Sequence, residues 1–415
     1  MGNPYLCAVK SDSFCRADPM ETNTKPLDLE NIEVAFKGKT DGELKKAYWL
    51  FKAIAFPSLV KAAPTLLRIA MAIRFPVVPI VRATIFKHFC GGENILDCNE
   101  TVNKLWRQRI GSILDYSVEG EENEDNFDKT TEEICATIER AKGDPSIPFC
   151  VFKVTGISRF ALLERMSSEI NLEANEVDEF NKVRERIGKI CGLAAQHRVR
   201  LFIDAEESWI QPAIDGLADE MMALHNKEEV IIYNTIQLYR TDRLGFLKKS
   251  HERGMALGYK NGFKLVRGAY MEKERARAKA LGYASPIQPD REHCNRDYDN
   301  ALRFCVEHID RISICAGTHN EKSSLLLTKL MQEHRIPNDH PSIWFSQLLG
   351  MSDHLSGNLS NSGYLVAKYV PYGPVKSVLP YLIRRAQENT SIAGQTGREL
   401  SMIMQELKRR RNIKG

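Results

Sequence analysis

No two of the ten cysteines stand in a C-x-x-C pair and no paired spacing recurs. That excludes a disulfide framework, and the cysteines read as small apolar residues in a reducing compartment. The ten histidines offer no H-x-x-x-H and no zinc-type Cys/His spacing, so no metal is expected. No G-x-G-x-x-G follows a strand-like run and no G-x-x-x-x-G-K-[ST] occurs, which removes the two commonest glycine-rich phosphate cradles. Excess charge of one sign is also lacking: 58 Lys and Arg face 54 Asp and Glu, a net +4 too scattered for a dedicated nucleic-acid binder. Nor does any uncharged apolar run reach the roughly 18 residues of a spanning helix. The polar stretch 1–44 fits neither a secretory leader nor an Arg-rich transit segment, and residues 1–19 precede Met20, a second candidate start.

What is present is globular: 415 residues, 43% hydrophobic and 27% charged, enough for one large domain or two to three ordinary ones. After residue 110, short β-branched runs alternate with helical stretches. They are GSILDYSV (111–118), FCVFKVTG (149–156), VRLFIDAEE (199–207), VIIYNTIQ (230–237), GFKLVRGAY (262–270), RISICAGTH (311–319), SIWFSQLL (342–349) and YLVAKYVPYG (364–373). Continuous apolar runs suit parallel strands buried on both faces, and alternation with helices predicts βαβ units. Eight such units predict a (β/α)8 TIM-type barrel over 111–405, with an N-terminal helical region. The remaining boundaries are a polar segment 1–44, an arm 45–110 and a basic tail 406–415. EGEENEDNFDK (119–129) reads as a solvated loop or helix start, and 271–300 as a charged helical insertion over the barrel mouth.

The stretch 45–90 is apolar but interrupted by Lys52, Lys61, Arg68, Arg74 and Arg82, and broken at Pro57, Pro64, Pro76 and Pro79. Two readings stand open. It is a set of short helices packed on the barrel, or a basic amphipathic surface resting on a membrane.

In this fold, functional groups gather where strands end. That position gives Asp115, Lys153, Asp204, Gln237, Tyr270, His319, Leu348 and Tyr369. Past the eighth run, PYLIRRAQEN (380–389) sets Tyr381, Arg384, Arg385 and Glu388 on one helix face. Two adjacent guanidiniums near the mouth suit a carboxylate held bidentately, and phenols would wall in a small apolar body. No engine is visible among these groups. The residues alone predict a barrel enzyme on a small carboxylate, its chemistry carried by an unspecified cofactor.

KLVRGAYMEKER (264–275), KYVPYGPV with PYLIRRAQEN (368–389), IDAEES (203–208) and GTHN (317–320) resemble the proline dehydrogenase family, in matching order from about residue 85 to 405. The resemblance implies a distorted (β/α)8 barrel, FAD-dependent, that oxidises L-proline to Δ1-pyrroline-5-carboxylate, with a hydride passing from proline C5 to flavin N5. It implies a membrane quinone as electron acceptor and peripheral membrane association. Arg384 and Arg385 then hold the carboxylate with Lys153. Tyr381, Tyr270, Leu348 and Tyr369 shape the ring pocket, and Asp204 fixes Tyr369. Gln237, Lys264, Arg267, Gly268, Ala269, Thr318, His319 and Asn320 face FAD, and Glu388 braces the arginine helix.

Lys264, Arg267 and Met271 stand where bifunctional bacterial members carry Arg, Lys and Trp, which leaves the adenine-stacking residue unassigned. The chain is compact over 165–200, without the long insert of animal members. With no transit segment, this favours a bacterial cytoplasmic enzyme at the inner membrane, or the matrix side of the mitochondrial inner membrane if eukaryotic. Hydroxyproline dehydrogenase is the sister activity, carrying Ser where Tyr369 stands. Two further functions stay open at this point: a non-catalytic carboxylate-binding barrel, and a flavin barrel like methylenetetrahydrofolate reductase.

Overall fold

β-Branched and aromatic side chains fit a pleated surface, so each apolar run forms a strand. The computed structural model describes residues 27–56, 58, 62, 65, 75–118, 122–168, 170–391 and 395–414. Its strands are β1 Ile110–Tyr116, β2 Phe149–Lys153, β3 Arg200–Asp204, β4 Ile232–Gln237, β5 Asn261–Val266, β6 Ile312–Gly317, β7 Ile343–Leu348 and β8 Val366–Tyr372. All pair in parallel in chain order, and β8 returns to β1, closing a (β/α)8 barrel.

Successive side chains on a strand face opposite sides. Ile113, Phe149, Val151, Phe202, Tyr233, Cys315, Trp344 and Tyr369 form one cluster, the barrel interior. Their neighbours Leu114, Cys150, Ile203, Ile232, Ile314 and Val370 belong to another, which joins strands to the helical layer. The same alternation turns Asp115, Lys153, Asp204 and Gln237 inward at the mouth. Parallel register sets Lys153 beside Asp204 and Thr235 beside Lys264.

Three boundaries differ from those read in the sequence. Within the polar segment 1–44, residues 27–44 are packed: Ala35, Phe36 and Leu44 join Ala47, Phe51, Met402 and Ile403 in a separate cluster. The helix Asp41–Ile54 starts at a capping box of Thr40 and Glu43, a polar signature that hid an apolar face. The basic tail is no separate unit either. The helix Gln395–Lys414 runs through it, Glu406 holds Arg409 and Arg410, and Arg410 donates to the carbonyls of Phe36 at 2.8 Å and Lys39 at 2.7 Å. The stretch 271–300 is two things, a helix Met271–Leu281 and the start of the crossover helix Arg291–Glu307 between β5 and β6. The acidic stretch becomes a helix start, with Asn123 capping Glu124–Ala141.

In the 45–90 stretch, Lys61, Arg68, Arg74, Pro57 and Pro64 lie outside the described residues, as do Met20 and all of 1–26. The described part packs on the barrel and also shows an apolar face outward. Phe51, Ile54, Phe86 and Phe89 are buried, while Trp49 is 63% exposed, Phe56 57%, Phe75 51% and Ile80 51%. Among the described residues no helix is long and apolar enough to cross a membrane.

Candidate active site at the barrel mouth

Two glycines are dictated by space and backbone together. Gly268 in VRGAY has φ +142°, and a Cβ there would come within 2.3 Å of the Tyr239 ring. This turn lets the chain double back after β5, so the Ala269 amide donates to the Gln237 side chain at 3.4 Å. Gln237 in turn donates to the Glu206 carbonyl at 2.6 Å. Gly350, after β7, has φ +76° and a virtual Cβ 2.5 Å from the His88 carbonyl oxygen.

Below the mouth lies a hub. Lys264, 4% exposed, donates to Asp204 and to the Tyr369 hydroxyl, the latter at 2.5 Å. Its ammonium also sits 4.8 Å from the Tyr369 ring centre and 5.3 Å from that of Phe202, on which Tyr369 stacks. Burial pushes the Tyr369 phenol well up, and the nearby Asp204 adds to it. The phenol is therefore neutral and fixed. Lys264, which the resemblance assigns to the cofactor, is a member of this hub. Tyr369 projects from the middle of β8, one layer deeper than the strand-end position the sequence suggested.

Asp115 accepts from the Ser117 hydroxyl at 2.6 Å. Tyr270 is not on a strand. It sits at the start of the helix Met271–Leu281, its phenol pushed well up by burial and by Glu206, Glu207 and Asp204, against which the Arg384 guanidinium works. That puts Arg384 within electrostatic reach of Tyr270 at the mouth. Arg385 is buried and lies 5.1 Å from the Tyr381 ring. Tyr381 and Leu348 share one apolar cluster with Phe86, Met351 and Val378, and Leu348 also touches the interior cluster of Tyr369. Glu388 lies in the helix Leu379–Ser391, but its side chain is outside the described part.

A second set faces β5 and β6. Arg267 donates to Asn295 at 2.8 Å, Thr318 at 2.6 Å and Ser323 at 2.9 Å, and lies over the Tyr298 ring. Asn320 caps the helix Glu321–Glu333. His319 contacts the Ser352 hydroxyl at 2.9 Å. Burial, with Lys368, Arg385, His354 and Arg267 around it, drops its pKa to about 3, so its ring is neutral at pH 7. A guanidinium beside a capped helix N-terminus is donor chemistry for a pyrophosphate. The Gln237 amide, the exposed backbone at Gly268 and Ala269, and Lys153 offer hydrogen bonds to a flat heteroaromatic edge. The residues present therefore fit a flavin dinucleotide.

Sequence reasoning passed over two groups. Glu206, 4% exposed, accepts from the Thr155 amide at 3.1 Å and its hydroxyl at 2.6 Å. Burial raises its pKa to about 7, with Thr155 and Lys153 opposing. A folded-state value above the usual 4.5 adds stability that is full below pH 4.5 and is lost as pH rises to about 7. Glu206→Gln is therefore expected to flatten Tm between pH 5 and 8 and to leave the variant relatively more stable at pH 8, by roughly 2 kcal/mol. A parallel shift of both Tm curves across that range would reject this. The other group is Lys368 with Asp353. The signal was available: β8 alternation turns Lys368 to the face of Val366 and Val370, where a lysine is out of place.

The profile of the family described as "Proline dehydrogenase" matches residues 98–398. "Proline dehydrogenase 1, mitochondrial" of Dictyostelium discoideum is 32% identical, over 97% of this chain and 78% of its own. "Hydroxyproline dehydrogenase" of Xenopus laevis is 32% identical, over 90% and 88%. Among solved structures, proline utilization A from Bdellovibrio bacteriovorus superposes with a TM-score of 0.68 at 17% identity, covering 87% of this chain and 38% of that one. The last of these is a likeness of fold.

Proposed function

The chain belongs to the proline dehydrogenase family, and from that premise we propose that it oxidises L-proline to Δ1-pyrroline-5-carboxylate with FAD as cofactor. The observation that carries this reading is Arg385, buried on one helix with Arg384 and Tyr381, with Arg385 in electrostatic reach of His319 and Arg384 of Tyr270. Removing a hydride from C5 and a proton from the ring nitrogen leaves a C=N bond; a bound FAD supplies the two-electron sink. The chain's own residues do the rest. Arg384, Arg385 and Lys153 orient the carboxylate, and Tyr270, Tyr369, Tyr381 and Leu348 exclude water from the ring. Arg267, Thr318, Asn320 and the neutral His319 hold the dinucleotide, with Gln237 and the 268–269 backbone at its ring edge. Purified protein should be yellow, and L-proline should bleach the flavin absorption under anaerobic conditions. A colourless protein, or a spectrum indifferent to L-proline, would end the proposal and leave the carboxylate-binding barrel.

The hydroxyproline reading has a named relative, so it is tested beside the first. Tyr369 is stacked on Phe202 and held by Lys264, so its hydroxyl occupies space a ring substituent would need. Tyr369→Ser should move the kcat/KM preference toward 4-hydroxy-L-proline by roughly tenfold or more. An unchanged preference would remove Tyr369 as the selector.

The acceptor is proposed to be a membrane quinone, reached through the arm at 45–110. Exposed Trp49 and Phe56 lie near Lys45, Lys46 and Lys52 in sequence, exposed Phe75 and Ile80 follow further along the arm, and Lys52 covers the Trp49 ring at 5.0 Å. A cavity of about 340 Å³ opens among Phe75, Val77, Val78, Val81, Val375 and Leu379, at the start of the arginine helix. An apolar acceptor leaving the bilayer would meet it next to Tyr381. Several relatives are named as mitochondrial, which favours the mitochondrial inner membrane over the bacterial one. Trp49→Ser with Phe75→Ser should cut sedimentation with vesicles of mixed neutral and anionic lipid severalfold; equal recovery of variant and parent would reject the membrane role.

A further inference from the structure

The loop after β7, residues 349–352, carries two left-handed backbones: Gly350 at φ +76° and Ser352 at φ +51°. For serine that conformation costs about 1–2 kcal/mol and persists only where neighbours over-determine it. Here they do, from four distant parts of the chain. Lys368 on β8 donates to the Leu348 carbonyl at 3.3 Å, the Met351 carbonyl at 2.5 Å and the Asp353 carboxylate at 2.9 Å. Lys39, from the turn before Asp41–Ile54, pairs with the other Asp353 oxygen. His88 meets the Gly350 carbonyl at 2.9 Å, and Glu399 of the closing helix accepts the Ser352 amide.

Lys368 is 1% exposed on the apolar outer face of β8. An apolar residue there would avoid the several kcal/mol of desolvating an ammonium. A lysine does what a leucine cannot: it gathers three oxygens of one loop. Burial alone would push the Asp353 carboxyl up, but Lys368 and Lys39 hold it well below the usual range. The first residue of that tethered stretch is Leu348, which touches the apolar clusters of both Tyr369 and Tyr381. Moving the loop moves an aliphatic side chain shared by the two clusters that hold these phenols.

We propose that Lys368 and, through Asp353, Lys39 are positioning residues that fix the 348–352 wall and thereby set the ring size the pocket takes. The inference rests on the imino-acid function proposed for this mouth. It also makes residues outside the barrel part of the pocket's support, because Lys39 lies in the chain before β1.

L-pipecolate has one ring methylene more than L-proline, and a rigid pocket rejects such an increment by roughly 10- to 200-fold. In FAD-loaded Lys368→Met, the proline-to-pipecolate ratio of kcat/KM should fall at least roughly fivefold, and in the peripheral Lys39→Met by roughly two- to threefold. The second variant serves if the first fails to fold. Hydrogen exchange at the 349–353 amides, read without substrate, should quicken in both. A lowered Tm with an unchanged ratio in Lys39→Met would make the pair purely structural and overturn the proposal. A parent enzyme that oxidises neither compound would instead sink the function, while the exchange rates still report whether the clamp exists.

Discussion

Arg385→Met is expected to lower kcat/KM for L-proline roughly a hundredfold, mostly through KM. The arginine is buried, its guanidinium lies 5.1 Å from the Tyr381 ring, and it shares the mouth with Arg384. A charge-assisted hydrogen bond contributes about 1.5–3 kcal/mol, and a carboxylate held by a guanidinium fork uses two. Taking about 3 kcal/mol for the loss gives a factor near 150. The carboxylate does not react, so its binding is shared by ground and transition states and its loss belongs in KM. Methionine keeps helix propensity and most of the stem's volume, so the fold should stand and the flavin should remain bound. Steady-state kinetics on the FAD-loaded variant is the check. A change below about threefold would mean that this guanidinium does not hold substrate, and the function would lose its main support. Arg384→Met, at a less buried position, should show a smaller loss of the same kind.

The barrel was legible because parallel strands announce themselves twice, as continuous apolar runs and by their spacing. The ends of those runs singled out Lys153, Asp204 and Gln237, and strand alternation turns them inward, opposite to Phe152, Ile203 and Ile236. Tyr369 was placed one layer too high because β8 continues to Tyr372, and a strand's true end depends on its partner: here β1, which pairs out to Tyr116. Of the Lys39, Asp353 and Lys368 cluster only Lys368 left a signal, as a lysine on an apolar strand face; its partners were not legible. Lys39 sits in a polar stretch that reads as an extension, and nothing local says that it meets Asp353 some three hundred positions on. The roles of Gly268 and Gly350 were hidden likewise, since the Tyr239 ring and the His88 carbonyl that crowd them are tertiary facts. Motif resemblance named Lys153, Tyr270, Arg384 and Arg385 for the substrate and gave Lys264 to the cofactor. Only the packing of β5 against Phe202 and Tyr369 brings that ammonium to the hub.

Lys264→Met should be the most damaging single change inside the barrel, and its damage should be largely repaired by a second one. Lys264 pairs with Asp204, and both side chains are shielded from solvent at 5% and 15% exposure. Removing one partner of a buried pair leaves an uncompensated charge, which typically costs about 3–5 kcal/mol. For Lys264→Met that charge is the Asp204 carboxylate, left with the Tyr369 hydroxyl and a long bond from Thr235 at 3.5 Å. Denaturant midpoints should therefore fall sharply in Lys264→Met. In Lys264→Met with Asp204→Asn no charge remains, and the amide can still accept from Thr235, so most of the stability should return. Activity should not return with it. Tyr369 would have lost the donor that fixes its hydroxyl, and a loosened phenol no longer defines the ring pocket, so KM should stay high in the stable double variant. Coupling in stability without coupling in KM is what separates a hub that holds a substrate wall from an ion pair that merely holds the fold. If the double variant regained both, Tyr369 would not need Lys264, and the pocket would have to be set by Leu348 and Tyr381 alone.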